Sequence, residues 1–274
     1  MNRLIVDQDK CKKDGICAAE CPMQIISVTD RSFPAIKAAA EERCIDCGHC
    51  VAVCPQGALA LTTMKPEECP PIQKELLLSE AQVRHLVLSR RSIRSYREKQ
   101  VDRGILENLI RTARYAPTGS NLQPVHWTVV KEPTQVNRLA GLVVDWMQPM
   151  VDGRVEPAYP LVRLKPIVQA WQKGRDMICR GAPHMIVTHG PKDLYASLPA
   201  CIIALTTLEL IAPSFGLGAC WAGYFNAAIN THPPLFQALG LPEDHQSFGA
   251  MMIGYPKYQY HRIPLRNEPP LAWR

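Results

Sequence analysis

Cys44-Ile45-Asp46-Cys47-Gly48-His49-Cys50-Val51-Ala52-Val53-Cys54-Pro55 decides how the N-terminal part of this chain is read. Its cysteines stand at C-x2-C-x2-C-x3-C, and a proline follows the last. Three thiolates spaced by two residues can wrap one face of a cubic iron–sulfur cluster within a tight loop. A run of this kind predicts a partner run. A shift of 33 residues finds it, placing Cys11 on Cys44, Cys17 on Cys50, Cys21 on Cys54 and Pro22 on Pro55. One ligand position fails, because Asp14 falls on Cys47. The apolar runs 25–28 and 58–61 also superpose. Each half therefore reads as strand, cluster loop, short helical turn, strand. Zinc is the alternative metal, but it favours separated C-x2-C pairs and explains neither the tripled spacing nor the duplication.

Composition agrees with metal ligation. Seven of the eleven cysteines fall within residues 11–54, a clustering unlike a spread disulfide framework. The N-terminal Met-Asn-Arg-Leu-Ile-Val-Asp reaches charge after three apolar residues, so no secretory h-region is read there. The expected compartment is the reducing cytoplasm. Net charge is +6 without a long Lys/Arg run, which gives no support to a nucleic-acid partner. The apolar stretch 198–224 contains Glu209 and Pro213. It reads as a core helix and the strand-loop after it, not a membrane span.

Residues 1–64 resemble the bacterial two-cluster ferredoxins over their whole length. In that family each cluster takes three cysteines from one run and the proline-linked cysteine of the other. The resemblance implies one cluster on Cys44, Cys47, Cys50 and Cys21. It implies a second on Cys11, Cys17 and Cys54, with Asp14 at the fourth corner. A carboxylate is a harder and weaker ligand for cluster iron than a thiolate. The Asp14 corner is open to three outcomes: a four-iron cluster completed by Asp or water, a three-iron 3Fe-4S cluster, or a site that interconverts. So short a segment buries little apolar surface, and two 4Fe-4S clusters would supply the missing core.

Residues 65–78 are rich in proline and charge and read as a linker, with Cys69 a free thiol. The second domain is expected over 79–274. Ser79-Glu80-Ala81-Gln82 fits a capping box, and the helix after it runs into Ser89-Arg90-Arg91-Ser92-Ile93-Arg94-Ser95-Tyr96. Arg90, Arg91, Arg94 and the Ser92 hydroxyl make a dense anion-binding set, since guanidinium forks match phosphate geometry. A second amphipathic helix, capped by Asp102, stops at Ala116-Pro117-Thr118-Gly119-Ser120-Asn121-Leu122-Gln123-Pro124. That loop offers amides and hydroxyls suited to the polar edge of a heterocycle.

These motifs together resemble the nitroreductase family of flavin enzymes. Further likeness lies in Ala182-Pro183-x-Met185-Ile186-Val187, in Gly216-Leu217-Gly218-Ala219-Cys220-Trp221, and in the segments Gly254-Tyr255-Pro256 and Arg262-Ile263-Pro264. The whole chain resembles ferredoxin–nitroreductase fusions. The resemblance implies an α+β fold, a ferredoxin-like two-cluster domain followed by a nitroreductase-like flavin domain. It also implies a homodimer built on a long apolar helix near 196–212, with FMN at the interface. Arg90, Arg91, Ser92 and Arg94 would hold the FMN phosphate and ribityl chain, and Arg262 would return to the phosphate. Pro117, Thr118, Ser120 and Asn121 would line the ring from the same or the other subunit. Trp221, Ala222 and Gly223 would lie near flavin N5, where a backbone N–H tunes it. The family often has Pro-Trp where this chain has Pro124-Val125-His126-Trp127, so the aromatic bordering the substrate is open.

Gly216-x-Gly218-x4-Gly223 is not a dinucleotide fingerprint, and no acidic residue follows at the expected distance. His184 and His189 read as packed or surface residues, and Cys179, Cys201 and Cys220 as small core residues. Residues 145–180, with many prolines, read as the least regular part: a lid over the flavin, or a solvated excursion with one helix near 167–180. No side chain reads as an obligatory general acid, so catalytic residues stay unknown. The favoured function joins one-electron clusters to two-electron FMN, reducing a small quinone, nitroaromatic or enone acceptor. Reduced ferredoxin or NAD(P)H would be the donor. An electron-transfer or redox-sensing module with little turnover is the alternative.

Overall fold

A computed structural model describes residues 3–29 and 32–274, which divide into two compact units. The first comprises the chain up to Leu77 together with Gly119–Leu122. The second comprises Leu78–Thr118 and Gln123–Arg274.

In the first unit β1 (Leu4–Val6), α1 (Ile16–Ala19), β2 (Ile26–Ser27), β3 (Ala35–Ile36), α2 (His49–Val53) and β4 (Leu59–Leu61) follow in order. β1 pairs antiparallel with β4, and β2 with β3. This reciprocal exchange of strands matches the sequence repeat. Gly15 and Gly48 enter α1 and α2 at φ 76 and φ 72, a left-handed turn that suits glycine. They occupy equivalent positions of the two halves. The core is small: Leu4, Ile25, Ile26, Val51, Leu59 and Leu61 pack beside Cys17 and Cys50. Residues 65–77, read from sequence as linker, are carried by this unit. Even so, Ile72, Leu76 and Leu77 remain exposed there.

The second unit runs α3 (Glu80–Ser89), α4 (Arg103–Ala113), β5 (His126–Val130), α5 (Pro133–Val151), α6 (Leu161–Gln172), β6 (His184–Pro191), α7 (Ser197–Ile211), β7 (Gly218–Trp221), α8 (Gly223–Thr231), α9 (Pro233–Ala238) and β8 (His245–Gly254). Its sheet is antiparallel throughout, in the order β5-β6-β8-β7. Side chains alternate across a strand, and β6 uses both faces. Met185 and Val187 join the core of α5, α6 and α8, while Ile186 joins that of α4 and α7. Helices thus cover the sheet on both sides. The Ser79 hydroxyl accepts from Gln82 N, and the Asp102 carboxylate from Gly104 N, capping α3 and α4.

Residues 145–180 depart from the irregular segment that their prolines predict. α5 continues to Val151 and α6 fills Leu161–Gln172, with Trp146, Met147, Leu164 and Ile167 buried. Leu161, Leu164, Ile167, Val168 and Trp171 recur at helical spacing. Burial of that stripe outweighs the donor lost at Pro166, which lies within α6. The two helices join the core layer, while 152–158 between them form an exposed, irregular excursion.

Ser197–Phe215 is long and apolar enough for a membrane span by composition. Yet Ala200, Cys201, Ala204, Leu205 and Leu208 are buried, and α7 packs on β6, β8 and α4. Leu198, Ile202 and Ile203 lie exposed along the same helix.

Two histidines of β6 are built in as neutral rings. Val101 N–H donates to His184 Nε2 at 2.8 Å, so Nδ1 carries the proton and donates to Lys131 O at 2.6 Å. His189 lies 2.8 Å, Nδ1 to Nδ1, from His245 and 3.1 Å from Thr128 Oγ1. Burial first, then the neighbouring His245 and His126, lowers the His189 pKa from 6.5 to about 4. The unfolded chain takes up this proton first. The stability from His189 is therefore complete above pH 6.5 and is lost as pH falls towards about 4. Thermal unfolding of the full chain at pH 7 and pH 5, taken as round values about that ordinary pKa, will show a smaller loss for His189→Asn than for wild type. Equal losses would remove His189 from this role.

Candidate functional site

The arginine-rich segment after α3 is pinned to the edge of the second unit's sheet. Ile93 N–H donates to Ala219 O at 2.9 Å, and Arg97 N–H donates to Tyr255 O at 2.9 Å. Ile93 fills the space over Gly218, where a Cβ would lie 2.4 Å from its side chain. The Tyr96 hydroxyl donates to Ile93 O at 2.6 Å. The arginines of this segment diverge into two cavities, Arg90, Arg91 and Arg97 to one and Arg94 to the other.

The larger cavity, about 530 Å³, is lined by Arg90, Arg91, Arg97 and Lys257 among others. Arg90 Nη1 meets Glu209 Oε1 at 2.7 Å. The other oxygen, Oε2, accepts from Trp221 Nε1 at 3.3 Å. This almost fully buried carboxylate therefore orients both a guanidinium and an indole. Arg91 folds back instead, donating through Nε to Ser89 O at 3.3 Å and through Nη2 to Leu88 O. It satisfies the last carbonyls of α3, which have no partner within the helix.

The second cavity, about 280 Å³, gathers Arg94, Trp221, Ala222 and Gly223 with Cys220, Tyr224, Arg163 and Arg180. α8 begins here at Gly223 without a side-chain cap. Its first N–H groups and positive dipole end suit an acceptor atom or anion. Gly249 leaves room for the indole, since a Cβ there would come within 3.0 Å of the Trp221 ring. Burial pushes the Cys220 thiol up against the pull of Arg94 and Arg180, so it is a neutral wall and not a nucleophile. The Cys220 thiol donates to Trp221 O at 3.6 Å.

Pro117, Thr118, Ser120 and Asn121 line neither cavity. Thr118 Oγ1 accepts from Gln123 N at 3.1 Å, closing the loop. Ser120, Asn121 and Gln123 hold φ of 50, 54 and 47, a strained run for non-glycine residues. Asn121 belongs to the first unit, where its Nδ2 donates to Ile45 O and Asp46 O, both at 3.0 Å. That amide nitrogen holds the cluster loop. Arg262 lies exposed in the extended C-terminal segment and lines neither cavity. Sequence reading missed Glu209 as a site residue, although it is the lone carboxylate of the apolar stretch 198–224. Arg163 and Arg180 carry no local signal at all.

In the first unit Cys21, Cys44, Cys47 and Cys50 line one cavity walled by Leu4, Ile25, Ile26 and Leu61. Burial pushes the Cys50 thiol up to about 11, and Cys47, Cys44 and Cys21 push the same way. Four soft donors around an apolar space fit a cubane cluster, whose iron would displace the thiol protons. Cys11 and Asp14 lie near enough to Cys17 to add to the upward push of burial on its thiol. Asp14 Oδ1 accepts from Ile16 N at 3.2 Å, steering the loop into α1. Cys54 Sγ accepts from Ala58 N at 3.3 Å.

Residues 87–255 match the nitroreductase family, and residues 3–65 match a 4Fe-4S dicluster domain. The chain belongs to the nitroreductase family and is an oxidoreductase with an N-terminal iron–sulfur domain. A putative NADH dehydrogenase/NAD(P)H nitroreductase of Archaeoglobus fulgidus is 24% identical over 63% of this chain and 84% of its own length. Human iodotyrosine deiodinase 1 is 31% identical over 72% of this chain and 69% of its own. A Bacteroides fragilis nitroreductase with bound FMN shares the fold at TM-score 0.60 and 19% identity, covering 72% of this chain and 100% of that one.

Glu209→Ala leaves the Arg90 guanidinium and the Trp221 indole without their shared acceptor. Breaking so enclosed a pair will cost about 3 kcal/mol, read from denaturant unfolding of the full chain. A loss below about 0.5 kcal/mol, the scale of an ordinary surface substitution, would show that Glu209 orients nothing.

Proposed function

We propose that this chain is an FMN-dependent iron–sulfur oxidoreductase that passes electrons between its clusters and FMN to reduce a quinone-, nitroaromatic- or enone-type acceptor. The observation that carries this is the meeting of Arg94, Trp221 and the uncapped start of α8 on one cavity. When bound, the clusters supply single-electron steps and FMN supplies two electrons with protons. The Gly223 N–H at the start of α8 would donate to the acceptor edge of the flavin beside Ala222, whose own N–H is held by Ala250 O; Arg94 would hold its polar side, and Trp221 would wall it. Ser92 and Arg90, the latter oriented by Glu209, serve the ribityl and phosphate end; Arg91 serves chiefly the end of α3.

Pro117, Thr118, Ser120 and Arg262 are assigned to the flavin of a second copy, with Asn121 positioning their loop. A homodimer is supported by exposed Leu198, Ile202 and Ile203 on α7 and by Leu265, Leu271 and Trp273 in the C-terminal segment. Exposed apolar side chains of this kind suit an interface. The Archaeoglobus relative, a putative NADH dehydrogenase/NAD(P)H nitroreductase, supports NAD(P)H as donor. A Pyrobaculum islandicum ferredoxin, 35% identical over 26% of this chain, supports a ferredoxin-type route. Eleven cysteines, none of them in a disulfide, suit a reducing cytoplasm.

Anaerobic stopped-flow on reconstituted protein tests this reading. NAD(P)H or reduced ferredoxin will reduce the flavin, and a quinone, nitroaromatic or enone will reoxidise it. Fast reduction with no small acceptor able to reoxidise it would favour the second reading, a redox-sensing module, to which Asp14 is the pointer. The cluster held by Cys11, Cys17, Cys54 and Asp14 is proposed to be labile at the Asp14 corner, with a three-iron form accessible. Electron paramagnetic resonance will detect that form in wild type and its loss in Asp14→Cys. Two ordinary four-iron clusters in both proteins would sink it.

A further inference from the structure

We propose that Arg163 and Arg180 form an anion-recognition wall beside Trp221, Ala222 and Gly223, and that the acceptor used there is a planar ring bearing a carboxylate or comparable anion. This rests on the reading of that cavity as the flavin and acceptor site.

Three arginines, Arg94, Arg163 and Arg180, line the cavity and no carboxylate does. Among the described residues none of the three forms an ion pair. Like charges gathered against a partly apolar wall repel, and a bound anion relieves that repulsion. Arg94 comes from the pinned segment. Arg163 comes from α6, and Arg180 from the turn before β6, so elements distant in sequence converge on one space.

The mount of Arg180 is built with unusual care. Its backbone is left-handed at φ 56, followed by Gly181 at φ 65, and a non-glycine residue holds that conformation only where its surroundings impose it. Asp176 imposes it here. Oδ1 accepts from Ile178 N and Cys179 N at 2.8 and 2.9 Å, and Oδ2 accepts from Gly181 N at 3.0 Å. Cys179, completely buried, anchors the turn, and Ala182 N donates to its carbonyl at 2.9 Å. The Asp176 carboxylate is thus directed at the turn's backbone, and it forms no ion pair with the arginines among the described residues. A guanidinium serving only as a solvated surface charge needs no such support. Opposite, Tyr159 stands edge-on to Tyr224 with centroids 5.0 Å apart. That aromatic corner suits a flat ring whose anionic group reaches the guanidinium forks.

The test uses the full-length, FMN-loaded, oxidised protein titrated with 4-nitrobenzoate and with its neutral isostere 4-nitrobenzamide, followed by flavin absorbance. Wild type will bind the benzoate about ten-fold more tightly. The preference will shrink as ionic strength rises. Arg163→Gln and Arg180→Gln will each abolish most of it. FMN titration of the apoprotein forms the second arm: variants that lose FMN affinity while keeping the benzoate preference would assign the arginines to the cofactor phosphate and overturn the proposal. Equal affinity of wild type for both compounds overturns it and leaves the flavin reading intact. A wild-type protein that takes up no FMN overturns both. Should a variant fail to fold by circular dichroism, the wild-type preference and its salt dependence decide alone.

Discussion

The hydrogen bond from Ile93 N to Ala219 O, with Ile93 seated over Gly218, governs the second unit's site. It turns a basic run, which alone would be a solvated surface, into a segment fixed against the sheet edge. Arg90 and Arg91, before this anchor, line one cavity, and Arg94, just after it, lines the other. The absent Cβ at Gly218 is what permits the close approach. The adjoining strand then brings Trp221 and the start of α8 to the same place.

Two carboxylates convert this scaffold into an oriented site without acting as chemistry themselves. Glu209, inside an otherwise apolar helix, holds Arg90 and Trp221 through separate oxygens. Asp176 collects three backbone N–H groups and so sets the direction of Arg180. In both cases a buried or half-buried charge is tolerated because each oxygen has a donor. The polar groups at the site are positioned by packing and not by local sequence.

The first unit obeys a different economy of forces. Its strands are two or three residues long and its apolar core is a handful of side chains. Cys21, Cys44, Cys47 and Cys50 face a common space; metal–thiolate bonds there would do the work that a larger core does elsewhere. Asp14 fits this picture as a loop-forming residue, accepting the Ile16 N–H, at a position where its sequence counterpart is a cysteine.

Much was legible from sequence because it depends on spacing and local chemistry alone. The cysteine repeat predicted the halves of the first unit, and Ser79 and Asp102 marked helix starts that the structure bears out. Residues 145–180 hold more helix than their prolines suggest, since proline is a local signal whereas the burial that keeps α5 and α6 helical is collective; only 152–158 stay exposed and irregular. The division of the arginines, the orienting part of Glu209, the use of the Asn121 amide on Ile45 and Asp46, and the meeting of Arg163 with Arg180 were decided only by tertiary structure. Each joins groups far apart along the chain, and periodicity or spacing cannot register such a contact. The sequence by itself determined which chemistries were present and where the chain would turn; tertiary packing decided which charges meet, because direction and burial arise only once the sheet and its helices close around them.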